Sequence, residues 1–217
     1  MAKYLLLLTT ALLLLGGCSE DSTGPSSNGV IMPLAVGNEW VYKVSFYNSD
    51  GTVNNTFFDT LRIYDKLYDG QDTIYAFTNN DRYNSNDVGA NRADGYYTLS
   101  PGPLKIQAKY PTYSGEVFRI DTLRGSTLDP GTIVMTYSCE LTNTTIGIPA
   151  GSYMCTKYRI HSVGTYQEDS TKPIENFENL SECWYAPGIG EVKNLFYSWD
   201  DSLLLAYKRE LVSYHLK

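Results

Sequence analysis

The sequence has few of the residues from which catalytic and metal sites are built. Only two of its 217 residues are histidines, His161 and His215, and neither lies in a C-x-x-C or H-x-x-x-H spacing. A zinc site or a thiol enzyme needs such clusters. No G-x-S-x-G segment is present to expose a nucleophilic serine. The sequence therefore predicts a protein that is not an enzyme and has no catalytic residue, metal or cofactor. A divergent hydrolase assembled from distant segments is the second alternative.

Positive charge is also scarce. The chain has 17 basic and 24 acidic residues, a formal charge of −7, and its basic residues form no cluster. An acidic chain without a basic patch repels phosphate backbones and anionic headgroups. Nucleic acid is therefore excluded as an expected partner, and attachment to a membrane would have to depend on something other than charge.

The first 17 residues supply another means of attachment. Lys3 precedes an apolar run over residues 4–15, too short for a spanning helix, and two glycines follow. Residues 1–17 are predicted to be a signal peptide. Residues 15–18 (LGGC) resemble the lipobox of bacterial lipoproteins, and the resemblance implies a diacylglyceryl group on Cys18, cleavage before it and acylation of its amino group. Removal of residues 1–17 changes the formal charge to −8, because Lys3 is lost.

Residues 18–30 are predicted to form a lipidated cysteine and a flexible acidic tether, because residues 19–29 carry no apolar side chain. Residues 19–21 (SED) resemble the acidic signal that sends lipoproteins of Bacteroidota to the cell surface. The alternative is an ordinary polar tether. The expected location is the bacterial cell envelope, as an outer-membrane lipoprotein with surface display as one possibility.

The rest of the sequence alternates short apolar runs with tight turns. Trp40, Tyr42, Val44 and Phe46 recur with period two, which is typical of a half-buried strand. The pattern predicts one all-β domain over residues 31–217. We expect an antiparallel meander of about ten strands that curves into a half-barrel, barrel or sandwich, with little helix. The predicted runs include residues 41–47, 52–64, 73–78, 96–99, 104–110, 117–123, 132–146, 152–163, 183–186 and a last strand within 203–216.

Two segments depart from this pattern. Residues 79–95 are polar and aperiodic and are predicted to form a long loop, a candidate binding loop that contains Asp81, Asp87 and Asp94. Their order does not match a calcium-binding loop, so a solvated loop is the preferred interpretation. Spacing of three among apolar residues from Ile174 predicts one or two helical turns.

Three cysteines remain once Cys18 carries lipid, so at most one internal disulfide can form. If the hairpin over residues 132–163 turns about residue 149, Cys139 and Cys155 are offset by four residues, too far for a bridge. Cys155 with Cys183 is the better candidate pair. The alternative is that all three are buried as small hydrophobic residues.

Four segments carry a further resemblance. In order they are residues 33–40 (PLAVGNEW), 148–153 (IPAGSY), 184–193 (WYAPGIGEVK) and 210–214 (ELVSY). Together they look like a family of uncharacterised secreted bacterial proteins and lipoproteins. Such families look related to the curved sheets of the LolA and LolB lipoprotein carriers, whose concave face holds acyl chains. The resemblance implies turns and strand aromatics, and no catalytic residue.

Tyrosine is the abundant residue, with 19 copies against 7 Phe and 3 Trp. Its distribution over the whole chain favours an amphipathic sheet, with a tyrosine-rich binding face as the alternative. The leading functional prediction is a non-catalytic, lipid-anchored domain that binds a glycan, an apolar ligand or a partner protein. The first alternative is a lipid or lipoprotein carrier, which predicts a concave apolar cavity of several hundred cubic ångströms.

Overall fold

The computed structural model describes residues 30–68, 70–79, 88–99, 103–124, 131–167, 172–198 and 204–217. These residues contain twelve β-strands and no helix, which confirms the all-β prediction. The strands are β1 (Glu39–Tyr47), β2 (Val53–Tyr68), β3 (Thr73–Asn79), β4 (Val88–Arg92), β5 (Gly95–Leu99), β6 (Leu104–Lys109), β7 (Val117–Arg124), β8 (Thr132–Ile148), β9 (Gly151–Tyr166), β10 (Glu175–Ala186), β11 (Gly190–Tyr197) and β12 (Leu205–His215).

All twelve strands belong to one antiparallel sheet that bends into a nearly closed barrel. Its order is β6-β5-β4-β3-β2-β1-β12-β11-β10-β9-β8-β7. Every neighbouring pair follows directly in the chain except β1 and β12, which pair from Glu39 opposite His215 to Phe46 opposite Tyr207. The fold is thus two six-strand meanders joined through the first and last strands.

Side chains bridge the two ends of the sheet, where β6 and β7 lie. Lys105 Nζ lies 3.1 Å from Asp121 Oδ2, and Arg119 Nη1 donates to the backbone oxygen of Ile106 at 3.0 Å. Arg119 also pairs with Asp121. The seam is therefore held by ion pairs and a side-chain-to-backbone hydrogen bond.

Two predicted segments differ from the observed structure. Residues 88–92 belong to strand β4 and not to a loop, because Asn91 and Ala90 pair with Tyr96 and Tyr97 of β5. The predicted helical turn near Ile174 is wrong. Residues from Glu175 onward form β10, where pairing with β9 over eleven positions overrides the local spacing.

Aromatic side chains fill much of the barrel interior. Trp40 and Tyr42 are fully buried on β1, as the period-two pattern predicted, and Tyr158 of β9 is 2% exposed. Each donates to a backbone oxygen: Trp40 Nε1 to Ile189 at 2.7 Å, Tyr42 Oη to Glu191 at 3.0 Å and Tyr158 Oη to Lys109 at 2.5 Å. These bonds tie the core to the chain segments at its ends because a buried polar group needs a partner.

One ion pair also lies inside the barrel. Arg209 of β12 donates from Nε and Nη2 to Glu191 Oε1, at 3.0 and 2.5 Å, and its guanidinium lies 4.4 Å from the centre of the Tyr42 ring. Burial alone would lower the pKa of Arg209, but the carboxylate of Glu191 outweighs it and raises that pKa well above its usual range. The pair lines a cavity of about 290 Å³ that is partly open to solvent, together with Tyr96 and Tyr185; we call it the interior cavity.

Substitution of Glu191 by Gln should destabilise the protein strongly. The change leaves Arg209 inside the barrel without its carboxylate, which costs roughly 3 kcal/mol in free energy of unfolding. Urea denaturation measures this loss. Glu39→Gln is the matched control, because the Arg62 partner of Glu39 has a side chain that is 54% exposed, and its loss should cost under about 1 kcal/mol. Equal effects of the two substitutions would contradict the prediction.

Candidate functional site

A cleft of about 640 Å³ opens at one end of the barrel. It lies where the tip of the β8–β9 hairpin, the β10–β11 turn and the last residues of β12 meet, and Tyr110 borders it after β6. We call it the tyrosine cleft. Its lining residues are Tyr110, Asn143, Ala150, Gly151, Ser152, Tyr153, Met154, Cys155, Thr156, Ala186, Pro187, Ile189 and Tyr214.

The hairpin side of the cleft is fixed to the last strand. The backbone nitrogen of Ala150 donates to Leu211 O at 3.1 Å. Tyr153 Oη donates to the backbone oxygen of Ala150 at 2.9 Å, and its ring meets that of Tyr214 edge-on with centroids 6.4 Å apart. Two aromatic rings are thereby held at one wall in a fixed relative orientation.

The opposite wall is the β10–β11 turn. Ile189 accepts the hydrogen bond from the buried Trp40, and Gly188 N donates to the backbone oxygen of Val30 at 2.8 Å. Gly190 has φ +104°, and a Cβ at this position would collide with the sulfur of Met32. The positive φ favours glycine at this position, and the absence of a side chain leaves room for Met32 of the N-terminal segment.

No lining residue of the tyrosine cleft carries a formal charge, although 19% of the chain is charged. Burial raises the pKa of Tyr153 to about 12, with a contribution from Tyr214, and burial raises the pKa of Cys155 to about 12. Both groups are neutral at physiological pH. The cleft therefore offers aromatic faces, hydroxyls and one amide in a neutral environment.

Strand β8 deviates from regular pairing beside the cleft. Leu141 lies opposite Lys157 and Thr144 opposite Cys155, so β8 carries an extra residue relative to β9. Asn143 lies within this bulge at φ +52° and is exposed at the cleft. A bulge redirects a side chain out of the regular alternation of a strand. Asparagine is among the residues that tolerate this left-handed backbone.

The residues that the sequence singled out lie elsewhere. Cys18, Asp81 and Asp87 lie outside the described residues. Asp94 is in the β4–β5 turn, where Tyr97 Oη donates to its carboxylate at 2.9 Å. Within the described part of the chain, no three His, Cys, Asp or Glu side chains lie close enough together to hold a metal ion.

The two histidines belong to the outer surface. His161 on β9 lies 3.0 Å from Glu178 Oε1, and its side chain is 44% exposed. His215 is exposed at the end of β12, opposite Glu39. Neither histidine lines the tyrosine cleft or the interior cavity.

The predicted disulfide between Cys155 and Cys183 is corrected by the structure, in which both are free and buried, as is Cys139. The register gives the reason: Cys183 lies opposite Tyr158 of β9, three residues from Cys155 along that strand. Three residues span roughly 10 Å in a strand, beyond the reach of a disulfide.

The local sequence pattern did not identify the tyrosine cleft as a site. Its position is nevertheless related to the four segments of the family resemblance. Residues 148–153, 184–193 and 210–214 all contribute to its lining, and Trp40 of the first segment donates to Ile189 in its wall. Convergence of these segments is the signal that could have located the cleft. Nothing in the sequence around Asn143 indicates its role.

Comparison with known proteins bears on the fold. No protein-family model matches the chain, and no curated protein matches it. A protein of Bacteroides fragilis NCTC 9343, named as exported and as having a YmcC-like fold, is similar: it is 14% identical with a TM-score of 0.50, over 87% of this chain and 100% of that one. A protein named as a lipoprotein, from Parabacteroides distasonis ATCC 8503, is 13% identical with a TM-score of 0.48. This match covers 86% of this chain and 99% of that one. The first similarity shows that this chain has a YmcC-like fold.

The described residues include no helix with the length and apolar character needed to cross a bilayer.

The three buried thiols should react very slowly in the folded protein. At pH 8 a thiol with a pKa of about 12, such as Cys155, is ionised in about one molecule in ten thousand, and burial also raises the pKa of Cys139 and Cys183. Peptide mapping after treatment with iodoacetamide should find all three unmodified in native protein and all three modified in guanidinium. Rapid native modification of Cys155 would contradict its burial beneath the cleft surface.

Proposed function

We propose that this chain is a non-catalytic lipoprotein of the bacterial cell envelope, anchored through Cys18, that binds a glycan in the tyrosine cleft. The observation that carries the proposal is the composition of the cleft. Three tyrosines, an asparagine and small hydroxyl residues line about 640 Å³ with no charged side chain among them. This volume lies within the range of ligand sites in proteins.

Glycans suit such a lining better than purely apolar ligands do. A sugar ring presents C–H groups on its faces and hydroxyls on its rim. Tyrosine offers a rigid aromatic face at low entropic cost, and amides and hydroxyls both donate and accept hydrogen bonds. The orientation of Tyr153 and Tyr214 is fixed before any ligand arrives, by the hydrogen bond to Ala150 and the edge contact of the rings. Preorganisation of this kind lowers the cost of binding.

The proposed location follows from the N-terminal sequence. The lipobox-like residues 15–18 support an anchor on Cys18. The Bacteroides fragilis protein with the same fold is named as exported, which agrees with an envelope location. An outer-membrane position and display at the cell surface are the finer part of the proposal, and residues 19–21 support it.

A carrier for acyl chains is the alternative with a different ligand. It requires a continuous apolar cavity, but the interior cavity holds the Glu191–Arg209 pair and the cleft carries Asn143 and Ser152. An acyl chain in either place would meet polar groups without satisfying them. A serine or cysteine hydrolase with a histidine base requires a histidine beside its nucleophile, and the histidines lie away from both cavities. The polar lining favours a glycan over an acyl chain.

Substitution of Tyr214 by Ala should weaken glycan binding about tenfold or more, because one aromatic wall of the cleft is lost. Calorimetric titration with neutral tetrasaccharides of glucose, mannose and galactose measures the change. Tyr64→Ala is the control, since Tyr64 is 58% exposed on β2 and does not line the cleft. Unchanged affinity in a folded Tyr214→Ala protein would contradict a binding role of the cleft.

Substitution of Cys18 by Ala should release the protein from the membrane. A non-lipidated chain has lost its acyl groups, and each buried methylene contributes about 0.8 kcal/mol to membrane binding. Fractionation of cells, together with labelling by radioactive palmitate, tests this. Retention of the Cys18→Ala protein in the membrane fraction would show that attachment does not depend on the lipid.

A further inference from the structure

Two cations whose neighbours in sequence line the tyrosine cleft, Lys109 and Lys157, are paired with carboxylates. Lys109 precedes Tyr110 and pairs with Glu116. Lys157 follows Thr156, and its Nζ lies 2.8 Å from Glu182 and 3.0 Å from Glu140. An anionic ligand would therefore compete with carboxylates of the protein for these two cations. A carboxylate that loses its hydration without gaining a cationic partner binds unfavourably.

The whole-protein charge acts in the same direction. After loss of residues 1–17 the chain carries a formal charge of −8. A protein of this charge disfavours the approach of anions over distances up to the Debye length, about 8 Å at physiological salt. Exclusion at long range and the cost of desolvation in the cleft both disfavour acidic ligands.

Asn143 provides polar recognition at the same cleft. Its side-chain amide has no hydrogen-bond partner among the described residues, and it lines the cleft from the bulge in β8. The flanking backbone is fixed, because Thr142 N donates to Ser114 Oγ at 3.2 Å and Thr144 pairs with Cys155. An amide in a fixed position can donate two hydrogen bonds and accept others, which matches neighbouring hydroxyls of a sugar.

We infer that the tyrosine cleft selects uncharged saccharides over acidic ones, and that Asn143 is the residue that recognises their hydroxyls. This inference rests on the proposed function and names the ligand class of the same site. The tyrosine rings provide a surface on which the faces of the sugar rings pack. The Asn143 amide determines which sugar hydroxyls are recognised by hydrogen bonds.

Three matched pairs of tetrasaccharides test the selection by calorimetry with the full mature protein. The pairs have gluco, manno and galacto configuration, each as the neutral sugar and as the uronate oxidised at C6. At least one neutral member should bind, and its uronate counterpart should bind at least about tenfold more weakly. The difference should persist in 0.5 M NaCl, because salt screens long-range repulsion but does not supply a cation in the cleft.

Two variants of Asn143 separate recognition from folding. Asn143→Gly keeps a backbone that prefers positive φ and removes the amide, so affinity for the neutral sugar should fall about 3- to 10-fold with an unchanged melting temperature. Asn143→Asp keeps the size and adds a carboxylate. It should weaken binding of the neutral sugar modestly and increase the discrimination against the uronate.

The possible outcomes distinguish the two proposals. Equal affinity for a neutral sugar and its uronate overturns the inference and leaves glycan binding intact. Unchanged affinity in Asn143→Gly overturns the role of that residue. Failure of all six saccharides to bind overturns the proposed function itself, and the inference with it.

Discussion

Pairing between the first and last strands is the constraint on which the rest of the structure depends. Each meander alone would leave two open edges, and only the ladder from Glu39–His215 to Phe46–Tyr207 joins them into one sheet. The same ladder places Arg209 beside Val44 and brings Tyr214 opposite Trp40. The interior ion pair and one wall of the tyrosine cleft are thus both consequences of a contact between residues more than 160 positions apart.

Several charged side chains on neighbouring strands are paired with one another. On β9 and β10, Lys157 contacts both Glu140 and Glu182, and Trp184 has the ammonium groups of Lys157 and Lys193 at 5.0 and 5.2 Å from its ring. Inside the barrel, Arg209 of the Glu191–Arg209 pair lies over the ring of Tyr42. The turns that line the tyrosine cleft contribute no charged side chain to it.

Local patterns in the sequence predicted the strands that alternate clearly, such as β1, and the long β8–β9 hairpin. They could not predict β4 or the start of β10, because pairing with a neighbouring strand determines those elements. The expected register of the hairpin was off by one residue: Cys139 lies opposite Tyr158 and not opposite Arg159. The turn is centred between residues 149 and 150, which shifts the register by one residue, and two bulges in β8 then shift it by two in the opposite direction. A bulge has no reliable signature in one sequence. The cleft depends on the bulge that contains Asn143 and on contacts between distant turns. The sequence therefore indicated the segments that form the cleft, but not the cleft itself.

The position of the N-terminal segment relates the cleft to the proposed anchor. Val30 accepts a hydrogen bond from Gly188, in the turn that forms one wall of the cleft. Twelve residues lead from Cys18 to Val30, and a chain of this length reaches at most about 40 Å. If Cys18 carries the lipid, this wall of the cleft must lie within about that distance of the membrane surface. Under the proposed function, the cleft would meet saccharides that are themselves close to the same membrane.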